Sequence, residues 1–179
     1  MELRPAFQIP ALIKSLTDVV LPAVDPANKL AQEQGQLIVG MLHLIAQRMP
    51  LQYRYDRHEL DSFIALADEL AGHGAVIAEA ASALAALAEC RDSGSALLAR
   101  AGVEPPELEA ANLRLRAQVG VVITAAATAP DSAALKALNR AVLAHAEALL
   151  LRERSWLAMQ GWEGPAPAHL PAVETLIGG

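Results

Sequence analysis

His145 has the residue type and the position that come closest to chemistry in this sequence. It shares a helical stripe with Leu138, Val142 and Leu149, so its imidazole should face the interior of a helical protein. An imidazole titrates near neutral pH and can serve as a general acid or base. The alternative is a neutral core histidine that is hydrogen-bonded to a neighbouring helix. The spacing therefore predicts an inward-facing His145 and leaves its role open.

Two further side chains are suited to ligand contact. His43 lies with Gln36, Gly40 and Gln47 on the narrow polar face of one predicted helix. This face either lines a polar cleft or is the solvated side that a surface helix needs. Trp156 falls near the end of a predicted helix. There an amphipathic aromatic side chain either anchors an interface or packs a loop onto the bundle.

Arginine residues are the third candidate group. Guanidinium groups bind carboxylates and phosphates through paired hydrogen bonds, so arginines on adjacent helices would form an anion site. The alternative, typical of a cluster such as Arg152-Glu153-Arg154, is a solvated ion-pair surface. The arginines concerned are Arg114, Arg116, Arg140, Arg152 and Arg154. From the three groups together, the predicted ligand-binding residues are His145, His43, Arg140 and Trp156.

The sequence lacks the usual signatures of catalysis, metal binding and cofactor binding. It has no Glu-x-x-His pair for a di-iron bundle and no His-Glu-x-x-His zinc motif, and His58-Glu59 has no second histidine. Cys90 is the only cysteine, and its neighbours Glu89 and Arg91 give no net activation of a thiolate. Nucleophile-elbow and phosphate-binding glycine motifs are also missing. We therefore expect no metal and no cofactor, and a non-enzymatic role rather than an enzyme.

The elements that must position these residues are helices. Hydrophobic residues make up 54% of the chain and aromatic residues only 3%, and alanine, the best helix former, is abundant. Proline, glycine and capping residues divide the sequence, with an extended connection expected at residues 50–55 and a break at residues 72–74. The predicted helices span about residues 5–21, 26–49, 56–72, 75–90, 93–102, 105–128 and 133–160.

This pattern predicts an all-α protein, a single-domain antiparallel bundle of about five to seven helices. We expect the bundle over residues 1–160 and an irregular tail rich in proline and glycine over residues 161–179. Residues 75–90 and 119–127 are small or apolar on all sides, which predicts two central, buried helices. The second and last helices carry wide, double apolar stripes and are the expected places for a partner or ligand.

Charge and composition restrict the function classes. The net charge of −6 makes a nucleic-acid-binding regulator unfavourable, because phosphate binding needs a basic surface. Charged residues are only 19% of the chain, so part of the surface is expected to be apolar. Homodimerisation is the commonest way to cover such a surface. No apolar run is long enough to span a membrane, and residues 1–20 lack the layout of a signal peptide. With one cysteine, the expected location is the cytoplasm.

One stretch resembles a known family. Residues 20–23 (Val-Leu-Pro-Ala), residues 36–42 (Gln-Leu-Ile-Val-Gly-Met-Leu), the Arg-x-x-Leu of residues 48–51 and the Leu-Asn-Arg of residues 138–140 resemble a small bacterial all-helical family of unknown function. Members of that family accompany acyl-CoA and phosphotransfer enzymes in bacterial operons. The resemblance implies a bacterial accessory protein and supplies no catalytic residues.

Two hypotheses follow from these observations. The first is a non-enzymatic, dimeric helical bundle that acts as an accessory or interaction module. The second is a bundle that binds a small apolar or acyl-type ligand between helices, with His145 as the residue for any catalysis. A monomer at micromolar concentration would argue against the first hypothesis, and a core without a cavity would argue against the second.

Overall fold

Alanine- and leucine-rich segments form helices along nearly the whole chain. A computed structural model describes residues 4–160 and 169–178, and within these ranges the regular structure is helical with no strand. The predicted all-α helical bundle is therefore confirmed. The α-helices are α1 Pro5–Ser15, α2 Leu21–Ala23, α3 Lys29–Arg48, α4 Gln52–Gly74, α5 Ala81–Ala99, α6 Pro105–Ala126, α7 Ala133–Leu157 and α8 Val173–Leu176. A π-helical turn, Leu16–Val20, joins α1 to α2, and 3₁₀ turns form at Met49–Leu51, Ala78–Ala80 and Ala158–Gln160.

The internal contacts group the chain into two compact units. Unit 1 comprises Met1–Gln52 with Glu153–Val173, and unit 2 comprises Tyr53–Arg152 with Glu174–Gly179. Unit 1 thus contains α1, α2 and α3. Unit 2 contains α5, α6 and most of α4 and α7. The expected bundle domain over residues 1–160 stays a prediction.

The hydrophobic core of unit 2 is built by α4, α5, α6 and α7. Its fully buried leucines come from all four helices, and each stabilises the fold by roughly 1.5–3 kcal/mol; they include Leu60, Leu70, Leu87, Leu108, Leu115 and Leu138. The small residues of α5 allow close packing. A Cβ atom on Gly94 would lie 3.3 Å from Leu60 Cδ1, and Gln118 Nε2 donates to Ala83 O at 3.1 Å.

Several predicted helix ends differ from the structure. The connection at residues 50–55 is helical, because Pro50 occupies the first turn of a helix, where its missing N–H costs nothing. Asp56, where the third helix was expected to begin, consequently lies inside α4. The cap of α3 is Asn28, whose side chain accepts from Ala31 N, while Asp25 accepts from Ala27 N within the preceding turn.

One of the two predicted breaks is wrong. Helix α5 continues through Asp92 and Ser93, so the separate helix expected at residues 93–102 does not exist. Asp and Ser weaken a helix interior by less than about 1 kcal/mol each, so tertiary packing overrides them in α5. The break expected at residues 72–74 agrees with the structure, because α4 ends at Gly74, where an added Cβ would lie 2.8 Å from Leu84 Cδ1.

The helices expected to be buried on all sides are buried on one side only. In α6, Val119, Val122 and Ala126 lie in the core, whereas Val121 is 51% exposed. In α5, Ala81 and Ala85 are exposed while Leu84 is buried. These segments therefore form outer walls of unit 2. In residues 75–90 the apolar character comes mainly from alanine, which needs little burial.

The predicted irregular tail is described only in part. Residues 161–168 and 179 lie outside the described residues. The described part contains α8, followed by the buried Ile177. Arg54 Nη2 donates to Glu174 O at 3.1 Å within unit 2. The described part of the tail thus contains one short helix, and the irregular tail over residues 161–179 stays a prediction.

Candidate functional site

Six polar and aromatic side chains meet in unit 2, and we call them the charged cluster: Tyr55, His58, Glu59, Arg116, His145 and Arg152. Helix α4 supplies the first three within little more than one turn, α6 supplies Arg116, and α7 supplies the last two. Residues three and four apart share a helix face, which places Tyr55 beside both His58 and Glu59. The cluster therefore depends on α4 packing against both α6 and α7.

Glu59 is the negative member of the charged cluster, and it is 8% exposed. Arg116 Nη2 donates to Glu59 Oε1 at 2.6 Å, and the Arg116 guanidinium also lies over the Phe63 ring at 5.6 Å. Burial raises the pKa of the Glu59 carboxyl, and the positive charges of Arg116 and Arg152 oppose that rise. The ion pair with Arg116 thus offsets part of the free-energy cost of burying the Glu59 carboxylate.

Arg152 is the most deeply buried cation of the charged cluster. It is 3% exposed, and its Cζ atom lies 5.4 Å from the centroid of the Tyr55 ring. Its Nε and Nη2 atoms are buried and have no hydrogen-bond partner among the described residues. Burying a guanidinium with unpaired donors lowers the stability of the folded state, so Arg152 is an unfavourable feature of the core of unit 2.

The two histidines of the charged cluster are held neutral. His145 packs against Phe63 with ring centroids 4.7 Å apart, and its Nε2 atom is buried without a partner among the described residues. Burial lowers the pKa of His145, Arg152 and Arg116 lower it further, and Glu69 opposes them. Burial and the Arg152 charge likewise lower the pKa of His58, against Asp61. At neutral pH the cluster therefore carries two positive charges and one negative charge.

A cavity of about 270 Å³ lies beside His145 in unit 2. Its walls are α4 and α7, and it combines small apolar side chains with one hydroxyl, one carboxylate and one imidazole. The lining residues are Ser62, Ala65, Leu66, Glu69, Ala141, Ala144 and His145. The volume suits a molecule of a few non-hydrogen atoms, and His145 belongs to both the cavity wall and the charged cluster.

Unit 1 presents a different feature, which we call the apolar surface. Within α1 to α3 the buried hydrophobic residues are Ile9, Leu21 and Leu44. Ten larger apolar side chains on the same segment are 37–66% exposed: Phe7, Leu12, Val19, Val20, Leu30, Leu37, Ile38, Met41, Ile45 and Met49. Leu37 also lines an open groove of about 670 Å³ with Gly40 and Met159. The double apolar stripe of the second predicted helix comprises Leu30, Leu37, Ile38, Met41, Leu42, Leu44, Ile45 and Met49. Of these eight residues, Leu44 alone is buried.

The predicted site residues belong to both units. His145 and Arg140 lie in unit 2, where His145 joins the charged cluster and Arg140 is exposed beside Lys136 and Asn139. His43 is an exposed residue of unit 1 whose Nδ1 atom lies 2.9 Å from Val39 O of its own helix. The ligand-binding roles assigned to these three residues stay predictions.

Trp156 lies in unit 1, where Arg48 holds it. Arg48 Nε donates to the Trp156 carbonyl at 2.9 Å, and the Arg48 guanidinium lies 5.4 Å from the indole centroid. Arg48 Nη2 also donates to Ser155 O. These contacts fix the end of α7 against the end of α3, which is a structural role, and a ligand-binding role for Trp156 stays a prediction.

Sequence reasoning underestimated Arg152. The triplet Arg152-Glu153-Arg154 was interpreted as a solvated surface, but Arg152 is buried whereas its two neighbours are exposed. A signal was present: Leu138, His145 and Arg152 follow one another at seven-residue spacing, so the inward-facing stripe of α7 extends to Arg152. Tyr55 was missed because the third helix was expected to start only at Asp56. The role of Glu59 was missed because its partner Arg116 is 57 residues away in the sequence.

Outside the charged cluster, the described residues offer little further chemistry. Among the described residues, no three side chains of His, Cys, Asp or Glu lie close enough together to hold a metal ion. None of the described helices has the length and apolar character needed to cross a membrane. No family model, curated protein or solved structure matches the chain. The resemblance to a bacterial helical family thus stays a prediction.

Proposed function

We propose that this protein is a non-enzymatic accessory module that acts as a homodimer, with the apolar surface of unit 1 as the dimer interface. The observation that carries the proposal is the exposure of ten large apolar side chains on residues 5–49. Single apolar residues on a surface are normal, whereas a concentration of this many on one short segment is typical of an interaction site.

The area involved matches what a dimer needs. With about half of each side chain exposed, ten such residues present on the order of 800 Å² of apolar surface, close to the roughly 800 Å² per partner of a standard interface. Three buried apolar residues in α1 to α3 supply only about 5–9 kcal/mol of hydrophobic stabilisation, which is little for a segment of this length. A partner therefore completes the packing of unit 1.

A second copy of the chain is the occupant that we favour. Residues 34–47 of α3 carry no Asp, Glu, Lys or Arg, so the surface has no charge pattern that would select a charged partner. An apolar helix face can pack against its own copy about a two-fold axis, as in most homodimers. The accessory role follows from the missing catalytic signatures of the sequence.

Sedimentation velocity between 0.1 and 100 µM tests this proposal. We expect a dimer that dissociates at the low end of the range. Ile38→Glu should weaken association at least tenfold, because it places a charge within the stripe of Ile38, Ile45 and Met49. Gln47→Glu adds the same charge on the opposite side of α3 and serves as the matched control. A monomer at 100 µM, or equal effects of the two variants, would refute the proposed interface.

The cavity beside His145 favours a second candidate function, the binding of a small ligand in unit 2. Such a ligand would contact the four apolar residues of the wall and reach the His145 imidazole. Saturable changes in the NMR signals of Ala141 and Ala144 on titration with 1-butanol would support this function. Signals that change only linearly up to 100 mM would argue against it.

A further inference from the structure

Residues 5–48 of unit 1 form a helical hairpin. Its first arm is the continuous helical segment of residues 5–23, made of α1, the π-helical turn and α2, and its second arm is α3. The arms are antiparallel, because Leu21 lies against Gly35 of α3 and α1 also packs against α3. In a parallel pair, α1 would lie beyond the start of α3 and could not contact it.

The first arm has exposed apolar residues on one flank of its buried stripe. Ile9 is buried and Leu16 is half-buried on this stripe. The exposed Leu12 and Val19 each come three residues after one of them. Three residues turn a helix by a little less than a full circle, so both lie counterclockwise of the buried stripe when the arm is viewed from its N-terminus.

Helix α3 repeats this arrangement. Gly35 lies against Leu21 of the first arm, and the half-buried Leu42 follows Gly35 by seven residues on the same stripe. The exposed Ile38 and Ile45 come three residues after Gly35 and Leu42, so they lie on the counterclockwise flank of α3. In an antiparallel pair, the counterclockwise flanks of both helices lie on the same face, which we call the hairpin face. Its members are Leu12, Val19, Ile38 and Ile45.

We propose that the hairpin face packs against the hairpin face of a second copy, so that the two hairpins form a four-helix bundle. This inference rests on the proposed function, since it requires a homodimer, and it adds that both arms of each copy take part. The arms match in length: residues 5–23 and the 20 residues of α3 both extend roughly 28–30 Å. Antiparallel neighbours of equal length, joined by a short connection, are typical of such bundles.

The distribution of exposed side chains favours a second hairpin over a partner that contacts α3 alone. The first arm carries four of the ten exposed residues of the apolar surface, and an interface through α3 alone would leave them in water. These four are Phe7, Leu12, Val19 and Val20. The hairpin of a second copy presents two apolar flanks, so one flank can cover each arm.

Sedimentation velocity of two variants tests whether both arms take part. Leu12→Glu in α1 and Ile38→Glu in α3 should each weaken dimerisation by about tenfold or more, because each places a charge on the hairpin face. Ala6→Glu is the matched control for the first arm, since the exposed Ala6 comes three residues before Ile9, on the opposite flank. Gln47→Glu remains the control for α3. Both controls should dimerise as the wild-type chain does.

Hydrogen–deuterium exchange of the wild-type chain gives a second test that needs no substitution. Over the concentration range in which the dimer forms, exchange should slow in peptides from both α1 and α3, because dimerisation buries one face of each. Peptides from α6, which belongs to unit 2, serve as the internal reference and should exchange at an unchanged rate.

The outcomes separate this inference from the proposed function. A monomer at 100 µM overturns both. A dimer that is weakened by Ile38→Glu but not by Leu12→Glu overturns the four-helix bundle and leaves an interface on α3. Exchange that slows in α3 alone, or equal effects of Leu12→Glu and Ala6→Glu, overturns the bundle in the same way. The exchange experiment on the wild-type chain remains decisive if a variant fails to fold.

Discussion

Removal of the Arg116 guanidinium should destabilise unit 2 in a strongly pH-dependent way. Arg116→Met keeps an unbranched side chain over the Phe63 ring but leaves the Glu59 carboxylate with Arg152 as its remaining counter-charge. Losing one partner of a fully buried pair costs about 3–5 kcal/mol. The Arg116 side chain is half exposed and Arg152 remains in place, so we expect a loss of about 1–2 kcal/mol at pH 7.5.

The sign of the pH dependence follows from Glu59. Burial raises the pKa of this carboxyl in the folded state, so the folded chain binds the proton more tightly than the unfolded chain does. This group therefore favours folding at low pH, and its contribution is lost as the pH rises through the folded pKa. Removing Arg116 raises that pKa further. The penalty of Arg116→Met should be full above the raised pKa and nearly absent at pH 4, where the carboxyl is protonated in both chains.

Urea unfolding followed by far-UV circular dichroism at pH 4 and pH 7.5 measures this difference. Arg114→Met, on the exposed side of α6, is the matched control, and we expect a change below about 0.5 kcal/mol at both pH values. Glu59→Gln should abolish most of the Arg116→Met penalty in a double-mutant cycle. An equal penalty at pH 4 and pH 7.5, or an equal effect of the control, would show that the Glu59–Arg116 pair does not act as described.

Further predictions concern stability and the charged cluster. Gly120→Ala should stabilise the chain by about 0.5–1 kcal/mol in thermal unfolding, because Gly120 lies inside α6 with nothing within 4 Å of the added methyl group. Gly102→Ala should destabilise it by about 1–2 kcal/mol in the same assay, since Gly102 has a φ of +69°; a stabilising effect would contradict this. Glu107→Ala should lower the midpoint of urea unfolding, because Glu107 completes a capping box with Glu104 and pairs with Arg100; an unchanged midpoint would contradict this. NMR titration should give His145 a pKa below 6.5, so the folded state loses stability relative to the unfolded state as the pH falls below that value; a pKa above 6.5 in the ligand-free chain would be inconsistent with its burial beside Arg152.

Local signals in the sequence predicted the helices and the starts of several of them. Pro105 at the first turn of α6 and the alanine-rich course of α5 are examples, because proline geometry and helix propensity act within a few residues. The same signals failed at Asp56 and Ser93, where a cap-forming residue lies inside a helix. Capping preference is worth about 1 kcal/mol, and the packing of a whole helix exceeds it.

The charged cluster could be predicted only in part. The stripe of α7 placed His145 on the inward side, and its contact with Phe63 agrees with that prediction. Its partners could not be identified, because Glu59 and Arg116 are 57 residues apart and meet only when α4 packs against α6.

The sequence by itself determined that this chain is helical, that its helices are small and apolar, and that no familiar motif supplies catalytic chemistry. Composition and periodicity suffice for this, since both act through the backbone and through neighbouring residues. Tertiary structure alone decided that Arg152 lies over the Tyr55 ring and that α3 exposes its apolar stripes. The physical reason is that burial depends on which helices pack against one another. A local pattern shows that a face is apolar, but the contacts between distant segments determine whether that face is covered.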